Sequence, residues 1–170
     1  FCHDAVMHVR TQLTYNALPD EVFDMLTDDA FVARKARATG ALSYVVDITD
    51  DGHRVTVELR RVMPPKVPDY VRRLVGDTVD IDQIDVWEPA QDGTRKGTFT
   101  AKISGAPVSM SGTLSLEPAA GGHAVEVLEA DVKASIPFLG GKVEKAVADA
   151  VMLAARKEEE VGRGWLAERH

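Results

Sequence analysis

Four aspartates stand close together in the middle of the chain, namely Asp77, Asp80, Asp82 and Asp85. Carboxylates at such intervals are typical ligands of a calcium loop, but the glycine and the closing bidentate glutamate of that loop are missing here. Apolar residues alternate with the acids, which predicts a strand with an acidic solvent face. The alternation changes phase between Ile81 and Ile84, so we expect a β-bulge that re-aims Gln83 and Asp85.

The other residue types that commonly carry chemistry lack the spacing that it requires. The histidines, at positions 3, 8, 53, 123 and 170, form no i, i+4 pair, and Cys2 alone cannot build a thiolate cage. No G-x-S-x-G elbow surrounds a serine. Gly140 and Gly141 could present free N–H groups to an anion, but we interpret them as a flexible lead-in to a helix. The sequence therefore predicts no catalytic residue, no metal and no cofactor.

Two arginine pairs, at 60–61 and 72–73, flank the proline-rich stretch 62–68. They could bind an acidic head group, and the stretch could form a lid, since long connections in a tight sheet are often functional. Arg60 is out of phase with Val57 and Leu59, so it points away from the packed face. We interpret the arginines as solvated surface charge and the stretch as a proline-stiffened surface crossing.

Length and charge exclude several classes of function. The chain has 170 residues and a formal charge of −7, which disfavours nucleic acid and constitutive adsorption to an anionic membrane. No apolar run is long enough to span a bilayer, and residues 1–10 lack the features of a signal peptide, so we expect a cytoplasmic location and no integral membrane contact. Residues 7–170 are expected to form one domain, with 1–6 as an N-terminal extension or a cloning remnant.

The elements that must position any site are clearly delimited. Alternation predicts a strand over 8–15, followed by two short helices that begin near Pro19 and Asp28. Six more strands follow, over 42–49, 53–61, 78–88, 94–103, 108–116 and 124–135. Most of their connections are short, which requires antiparallel pairing. A long helix closes the chain, with Val143, Val147 and Val151 on one face.

This order resembles the helix-grip fold of the START-like superfamily, also called Bet v 1-like or SRPBCC, over almost all of residues 7–170. Three stretches carry the resemblance: LPDEVFDML at 18–26, DQIDVW at 82–87 and VKASIPFLGGKVE at 132–144. The run PFLGGK at 137–142 is similar to an uncharacterised actinobacterial branch of that superfamily. The resemblance implies an α+β fold, in which a curved seven-stranded antiparallel sheet wraps a long C-terminal helix. It also implies a cavity for an apolar small molecule.

Three hypotheses of function follow. The first is binding of a hydrophobic small molecule, such as a lipid or polyketide, between the sheet and the C-terminal helix. The second is a polyketide cyclase or aromatase, which requires a polar pair such as Asp85 with Tyr44. The third is an interaction module with a filled core, whose end carries Trp165 and Leu166, although we expect these two to pack on their own domain. The oligomeric state stays open.

The residues expected to line the cavity come from the predicted inner faces. The inner face of the helix is mainly valine and alanine, which either lets the helix lie close to the sheet or leaves room for a ligand. The predicted ligand-binding residues are Tyr44, Leu59, Gln83, Trp87, Phe99, Met110, Phe138, Val143, Val147 and Val151.

Overall fold

The computed structural model describes residues 6–65 and 67–170, and it contains the predicted succession of elements. In chain order these are β1 (Val6–Tyr15), α1 (Pro19–Leu26), α2 (Asp29–Ala38), β2 (Ser43–Asp50), β3 (Val55–Met63), α3 (Asp69–Val75), β4 (Val79–Trp87), β5 (Arg95–Ile103), β6 (Val108–Ala119), β7 (His123–Ala134) and α4 (Gly140–Ala167). The expected domain boundary at Met7 stays a prediction.

The strands form one seven-stranded sheet in the order β1-β7-β6-β5-β4-β3-β2, and every neighbouring pair is antiparallel. Strands β2 to β7 form a meander, and β1 returns to pair with β7. The hairpin between β2 and β3 turns at Gly52, whose φ of 85° lies in the left-handed region that glycine tolerates. The α+β helix-grip architecture with two short helices after the first strand is confirmed.

The register of β4 contradicts the expected bulge. Pairing runs without interruption from Val55↔Trp87 to Met63↔Val79 on one side and from Ile81↔Ile103 to Trp87↔Gly97 on the other. Regular alternation therefore puts Gln83 and Asp85 on the same face as Trp87. The apolar Ile84 and Val86 lie on the opposite face and pair with threonines of β5. Because β4 has apolar residues on both faces, its sequence pattern alone did not decide whether Trp87 or the set of Ile84 and Val86 points inward.

Helix α4 packs along β1 and β7. Its buried face is built largely of small residues, including Val143, Ala148 and Ala155, as predicted. Glu144 is also buried, and its Oε2 accepts the N–H of Ala134 at 3.0 Å. The helix therefore uses a carboxylate at its start to fix the end of β7.

Charged residues near the end of α4 hydrogen-bond to the edge strand β1. Glu159 Oε2 accepts the N–H of Thr14 at 2.8 Å. Arg156 donates to the carbonyl of Gln12 at 2.6 Å, and Arg163 donates to the carbonyl of Thr14 at 3.1 Å. Backbone groups on the free edge of β1, which would otherwise be open to another strand, are thus paired with α4.

Trp165, near the end of α4, packs on its own domain, as expected. Trp165 and Leu166 are both buried, and the Trp165 ring lies edge-to-face with Phe31 of α2, with centroids 5.5 Å apart. Arg34 and Arg169 lie over the Trp165 ring at 5.1 and 3.6 Å. Because Trp165 and Leu166 are covered by their own domain, they are not available to dock a partner, as the third hypothesis required.

Two glycines on α4 permit a matched test of this packing. A Cβ at Gly162 would lie 2.6 Å from Cε1 of Tyr15, whereas a Cβ at Gly164 would meet nothing within 4 Å. Both alanine variants gain helix propensity, so Gly164→Ala is expected to stabilise the protein by up to about 1 kcal/mol. Gly162→Ala is expected to destabilise it by roughly 1 to 3 kcal/mol through overpacking. Urea unfolding measures both, and equal effects would contradict the inferred close approach of α4 to β1.

Across the described ranges, no helix combines the length and the apolarity that crossing a bilayer requires.

Candidate ligand-binding cleft

The inner face of β4 is the candidate ligand-binding surface, because its side chains are less completely covered than those on the inner faces of β1 and β7. Helix α4 packs along β1 and β7, while α2 packs on β2 and on α4, which leaves β4 between the two helices. Inner-face residues of β1 and β7 such as Leu13 and Val132 are fully buried. On β4, by contrast, Ile81, Gln83 and Asp85 keep part of their surface accessible. We infer a cleft over this face and call it the β4 cleft. The partly exposed residues that we assign to it are Arg61, Ile81, Gln83 and Asp85 on the sheet and Val147 and Val151 on α4.

A largely buried ion pair joins α2 to α4 and acts electrostatically on Asp85 of β4. Lys35 Nζ of α2 lies 3.3 Å from Glu158 Oε1 of α4, and these side chains are only 16% and 19% exposed. Along the floor, Arg61 donates to Gln83 Oε1 at 3.0 Å, and Gln83 Nε2 donates to Asp85 Oδ1 at 3.2 Å. The cleft therefore combines an apolar wall on α4 with a hydrogen-bonded polar strip on β3 and β4.

The carboxyl group of Asp85 holds its proton more tightly than an ordinary aspartate does. Burial raises the pKa of Asp85 to about 6, and the opposing effects of Lys35 and the Gln83 hydrogen bond do not cancel it. Asp85 is recessed into the fold, keeps some accessible surface and is half-titrated at about pH 6. Such a carboxyl group is suited to exchange protons with a ligand.

Glu126 of β7 lies deeper in the same interior and is also perturbed. Burial and the neighbouring Glu158 carboxylate raise the pKa of Glu126 well above its ordinary value. Burial acts to lower the pKa of Lys35, but Glu158, Asp85 and Glu126 outweigh it, and the pKa of Lys35 is raised. Among the described residues, Glu126 Oε2 and the Tyr15 hydroxyl are buried without a hydrogen-bond partner.

The structure places six of the ten predicted ligand-binding residues in the main core, against it or on the inner face of β4. Trp87, Phe99 and Met110 share the main core, and Val147 and Val151 of α4 pack against it. Gln83 lies on the floor of the β4 cleft. Within the main core, Trp87 is held edge-to-face by Phe23 of α1, with centroids 6.0 Å apart.

The remaining predicted residues lie elsewhere. Leu59 and Tyr44 pack with α2 in a second cluster, and Val143 packs with Val71 of α3 in a third. Phe138 is fully exposed and stands apart from the cleft, because its φ of 66° turns the chain outward just before α4. Tyr44 lies opposite Arg61 on β3, whereas Asp85 lies opposite Val57, so the suggested Tyr44–Asp85 pair does not form.

Sequence reasoning missed four charged residues of the cleft, although each leaves a signal. Arg61 continues the phase of Val57 and Leu59, and was wrongly interpreted as surface charge. Glu158 follows Val151 and Ala155 at helical spacing, and Glu126 alternates in phase with Ala124 and Leu128. Lys35 is placed one turn after Phe31 on α2. In each case the helical or strand periodicity places the residue on the inner face, but its charge favoured a solvent-exposed interpretation.

Two hollows on the outer surface are separate from the β4 cleft. One, of about 370 Å³, lies beside the β5–β6 turn and is lined by Lys102, Pro107 and Ser135 among others. The other, of about 210 Å³, lies between α1 and the end of α4. Neither is lined by the inner-face residues of β4.

Solved structures with the same architecture define the class of protein. The aromatase/cyclase ZhuI from Streptomyces sp. R1128 superposes with a TM-score of 0.66 at 15% identity, over 97% of this chain and 96% of that chain. The human StarD13 lipid transfer and protein localization domain superposes with a TM-score of 0.52 at 12% identity, over 88% and 75%. The chain thus has the helix-grip fold that these proteins share. At these identities the likeness shows the fold alone.

A sequence-family model assigns the chain to a particular protein family. Residues 10–166 match the model described as "Protein of unknown function (DUF2505)", and the chain belongs to that family. Uncharacterized protein Rv0481c of Mycobacterium tuberculosis is 28% identical over 122 residues, which are 71% of this chain and 70% of that protein.

Proposed function

We propose that this protein binds a small molecule with an apolar body in the β4 cleft, between α4 and the inner face of the sheet. The observation that carries the proposal is the partial exposure of Gln83, Asp85 and Val151, which face the interior and yet keep accessible surface. When a ligand covers apolar side chains, the burial contributes about 25 cal/mol of binding free energy per Å² of apolar surface removed from water. The polar strip then fixes the ligand's orientation, as is usual in small-molecule sites.

The position of Val147 and Val151 supports a contact with the ligand's apolar body. Both are half-buried on α4, and both pack against the main core that contains Phe99 and Met110. Leu153, two residues further on, is 73% exposed on the outer side of the same helix. A large side chain at Val151 would therefore occupy the cleft, whereas the same side chain at Leu153 would project into solvent.

This contrast gives the test. We expect the neutral dye Nile red to bind with increased fluorescence at one molecule per chain, and apolar compounds extracted from the purified protein to displace it. Val151→Trp is expected to weaken dye binding at least about tenfold, because the indole takes the ligand's space. Leu153→Trp is the matched control and is expected to bind as the unsubstituted protein does. Circular dichroism verifies that both variants fold.

Two results would overturn the proposal. One is the absence of any bound species on extraction together with no fluorescence increase. The other is unchanged dye binding in a folded Val151→Trp protein, which would place the ligand outside the β4 cleft.

A second candidate, catalysis of the cyclase kind, is favoured by one observation. Asp85 lies in the cleft with a pKa of about 6, and the Lys35 ammonium lies near enough to act on it. An acid that titrates near neutrality beside a cation can move a proton to or from a bound carbonyl compound. Turnover of a polyketide substrate that Asp85→Asn abolishes would support this candidate, and ligand binding without turnover would favour the binding proposal alone.

A further inference from the structure

One end of the molecule is built from three chain segments that pack together. Helix α3, the β5–β6 turn at 104–107 and the β7–α4 connection at 135–139 all contribute side chains to the same hydrophobic cluster. The N–H of Ser135 also donates to the carbonyl of Pro107 at 3.0 Å, which ties the turn to the connection. We call the surface that these segments form, together with the first turn of α4, the α3 end.

Phe138 protrudes from the α3 end. Its side chain is fully exposed, and its φ of 66° lies in the left-handed region, which is strained for a bulky residue. The next residue, Leu139, packs in the cluster beneath, so the chain on that side is anchored while the ring points into solvent. Leu74 of α3 adds a second exposed apolar side chain. Backbone strain that exposes an aromatic ring gains no packing within the domain and often marks a functional position.

The surface near Phe138 is basic. Arg72 and Arg73 are exposed on α3, and Lys142 is exposed in the first turn of α4. Lys142 Nζ lies 5.9 Å from the centroid of the Tyr70 ring of α3, so the basic residues of the two helices are neighbours. The first turn of α4 contains no acidic residue, and the positive end of the helix dipole therefore adds to their potential.

This basic surface belongs to a chain that is acidic as a whole. The three segments that meet at this end, 67–78, 102–109 and 133–146, contain six basic and three acidic residues, whereas the whole chain contains 20 basic and 27 acidic ones. One of the three acids, Glu144, is buried and accepts the N–H of Ala134. Charges more than about 10 Å away are largely screened at an ionic strength of about 0.1 M. The formal charge of −7 therefore does not describe the field at the α3 end.

A hollow of about 370 Å³ beside the β5–β6 turn has room for a polar head group. Its lining includes Lys102, Ser109, Lys133 and Ser135. Ser109 pairs with Lys102 of β5 on one side and with Lys133 of β7 on the other, so the two lysines flank it across three strands. Ammonium and hydroxyl groups are suitable donors to phosphate oxygens.

We propose that the α3 end docks on an anionic lipid bilayer, with the Phe138 ring among the acyl chains and the basic residues at the lipid phosphates. This binding is additional to the function proposed for the β4 cleft and does not depend on it. A single protruding ring with basic neighbours suits a fluid surface, which closes around the ring. A stable protein interface buries about 800 Å² on each partner and needs a wider apolar centre than one ring supplies.

Vesicle binding tests the proposal. The full chain is mixed with sedimentable vesicles of phosphatidylcholine alone and with vesicles that also contain phosphatidylglycerol. We expect binding to the anionic vesicles to be at least about tenfold tighter than to the neutral ones, and to weaken at high salt. No binding to the anionic vesicles at low salt would overturn the proposal.

An asparagine variant tests the ring without straining the backbone. Phe138→Asn is expected to weaken binding to the anionic vesicles at least about tenfold, and asparagine tolerates the left-handed φ of this position. Leu18→Asn is the matched control, because Leu18 is 56% exposed before α1, beyond the opposite end of β1, and asparagine is favoured at that N-cap. The control is expected to bind as the unsubstituted protein does. Unchanged binding in a folded Phe138→Asn protein would contradict insertion of the ring.

A pair of double variants separates the α3 end from the net charge. Arg72→Gln with Arg73→Gln is expected to weaken binding to the anionic vesicles at least about tenfold. Lys96→Gln with Lys157→Gln removes the same charge far from this end, near the start of β5 and in the second half of α4. This control is expected to change binding less than about threefold. Equal losses in the two double variants would overturn the proposal.

A tryptophan at the protruding position reports the contact directly. Phe138→Trp is expected to be quenched by brominated phosphatidylcholine in the anionic vesicles, whereas Leu18→Trp is not. The native Trp87 and Trp165 are buried and should contribute little to the quenching. Vesicle binding without quenching of Phe138→Trp would place the contact elsewhere and overturn the proposal. Nile red binding should be the same in Phe138→Asn as in the unsubstituted protein, so failure of the proposed function is measured separately.

Discussion

Lys35→Met is expected to lower the free energy of unfolding by about 3 to 5 kcal/mol at pH 8, the usual cost of removing one partner of a buried ion pair. Lys35 is the cation that faces Glu158, Asp85 and Glu126 across the interior. Methionine fills a similar volume and leaves all three carboxylates without it. Each carboxylate then stays buried without the attraction of the Lys35 ammonium. The loss of stability therefore comes from unpaired negative charge rather than from a cavity.

The sign of the pH dependence separates these two causes. Carboxyl groups whose pKa is raised in the folded state destabilise it as the pH rises, and they cost nothing once they are protonated in both states. The difference between Lys35→Met and the unsubstituted protein should therefore be largest at pH 8 and shrink towards pH 4. Urea unfolding at a series of pH values measures it.

Lys145→Met is the matched control for that series. Lys145 pairs with Asp149 at 2.9 Å on the exposed side of α4, where both side chains are more than half exposed. A surface pair of this kind contributes less than about 0.5 kcal/mol. Equal losses of stability in the two variants, or a loss in Lys35→Met that is the same at every pH, would contradict the interpretation that Lys35 offsets the buried carboxylates.

Asp85→Asn is expected to have the opposite sign and to stabilise the protein by up to about 3 kcal/mol above pH 6. The pKa of Asp85 rises from 3.8 to about 6 on folding, and each unit corresponds to about 1.4 kcal/mol. The folded state thus binds the proton more tightly, so this group costs stability as the pH rises from about 4 to about 6, after which the cost is complete. Asparagine has no such cost, and its side-chain oxygen can still accept from Gln83.

The measurement is again urea unfolding against pH. The stability gained by Asp85→Asn should be absent at pH 4, grow to about pH 6 and then level off. Asp80→Asn, on the exposed outer face of β4, should change stability by less than about 0.5 kcal/mol at every pH. A destabilised Asp85→Asn protein at pH 8 would mean that the carboxylate is stabilising where it lies, contrary to its raised pKa.

These two predictions together describe an interior that carries more charge than stability favours. Natural proteins retain such destabilising groups chiefly where function requires them. A gain of stability together with a loss of ligand binding in the same Asp85→Asn protein would show that the energetic cost of this carboxylate serves the proposed function.

The sequence alone determined the architecture. The Asp50-Asp51-Gly52 turn, the short connections and the alternating strands require an antiparallel meander, because such loops cannot make parallel crossovers. The valine and alanine period after Gly141 required a long helix with a small inner face. These features are local, since each depends on residues within a few positions of one another.

The tertiary structure decided which face of β4 looks inward and which charges meet there. A period of two separates two faces without saying which is buried, and β4 carries apolar residues on both. Lys35, Asp85, Glu126 and Glu158 are brought together only when α2 and α4 pack over the sheet. Their pKa values depend on desolvation and on mutual distance, which are properties of three-dimensional packing and have no counterpart in the order of residues along the chain.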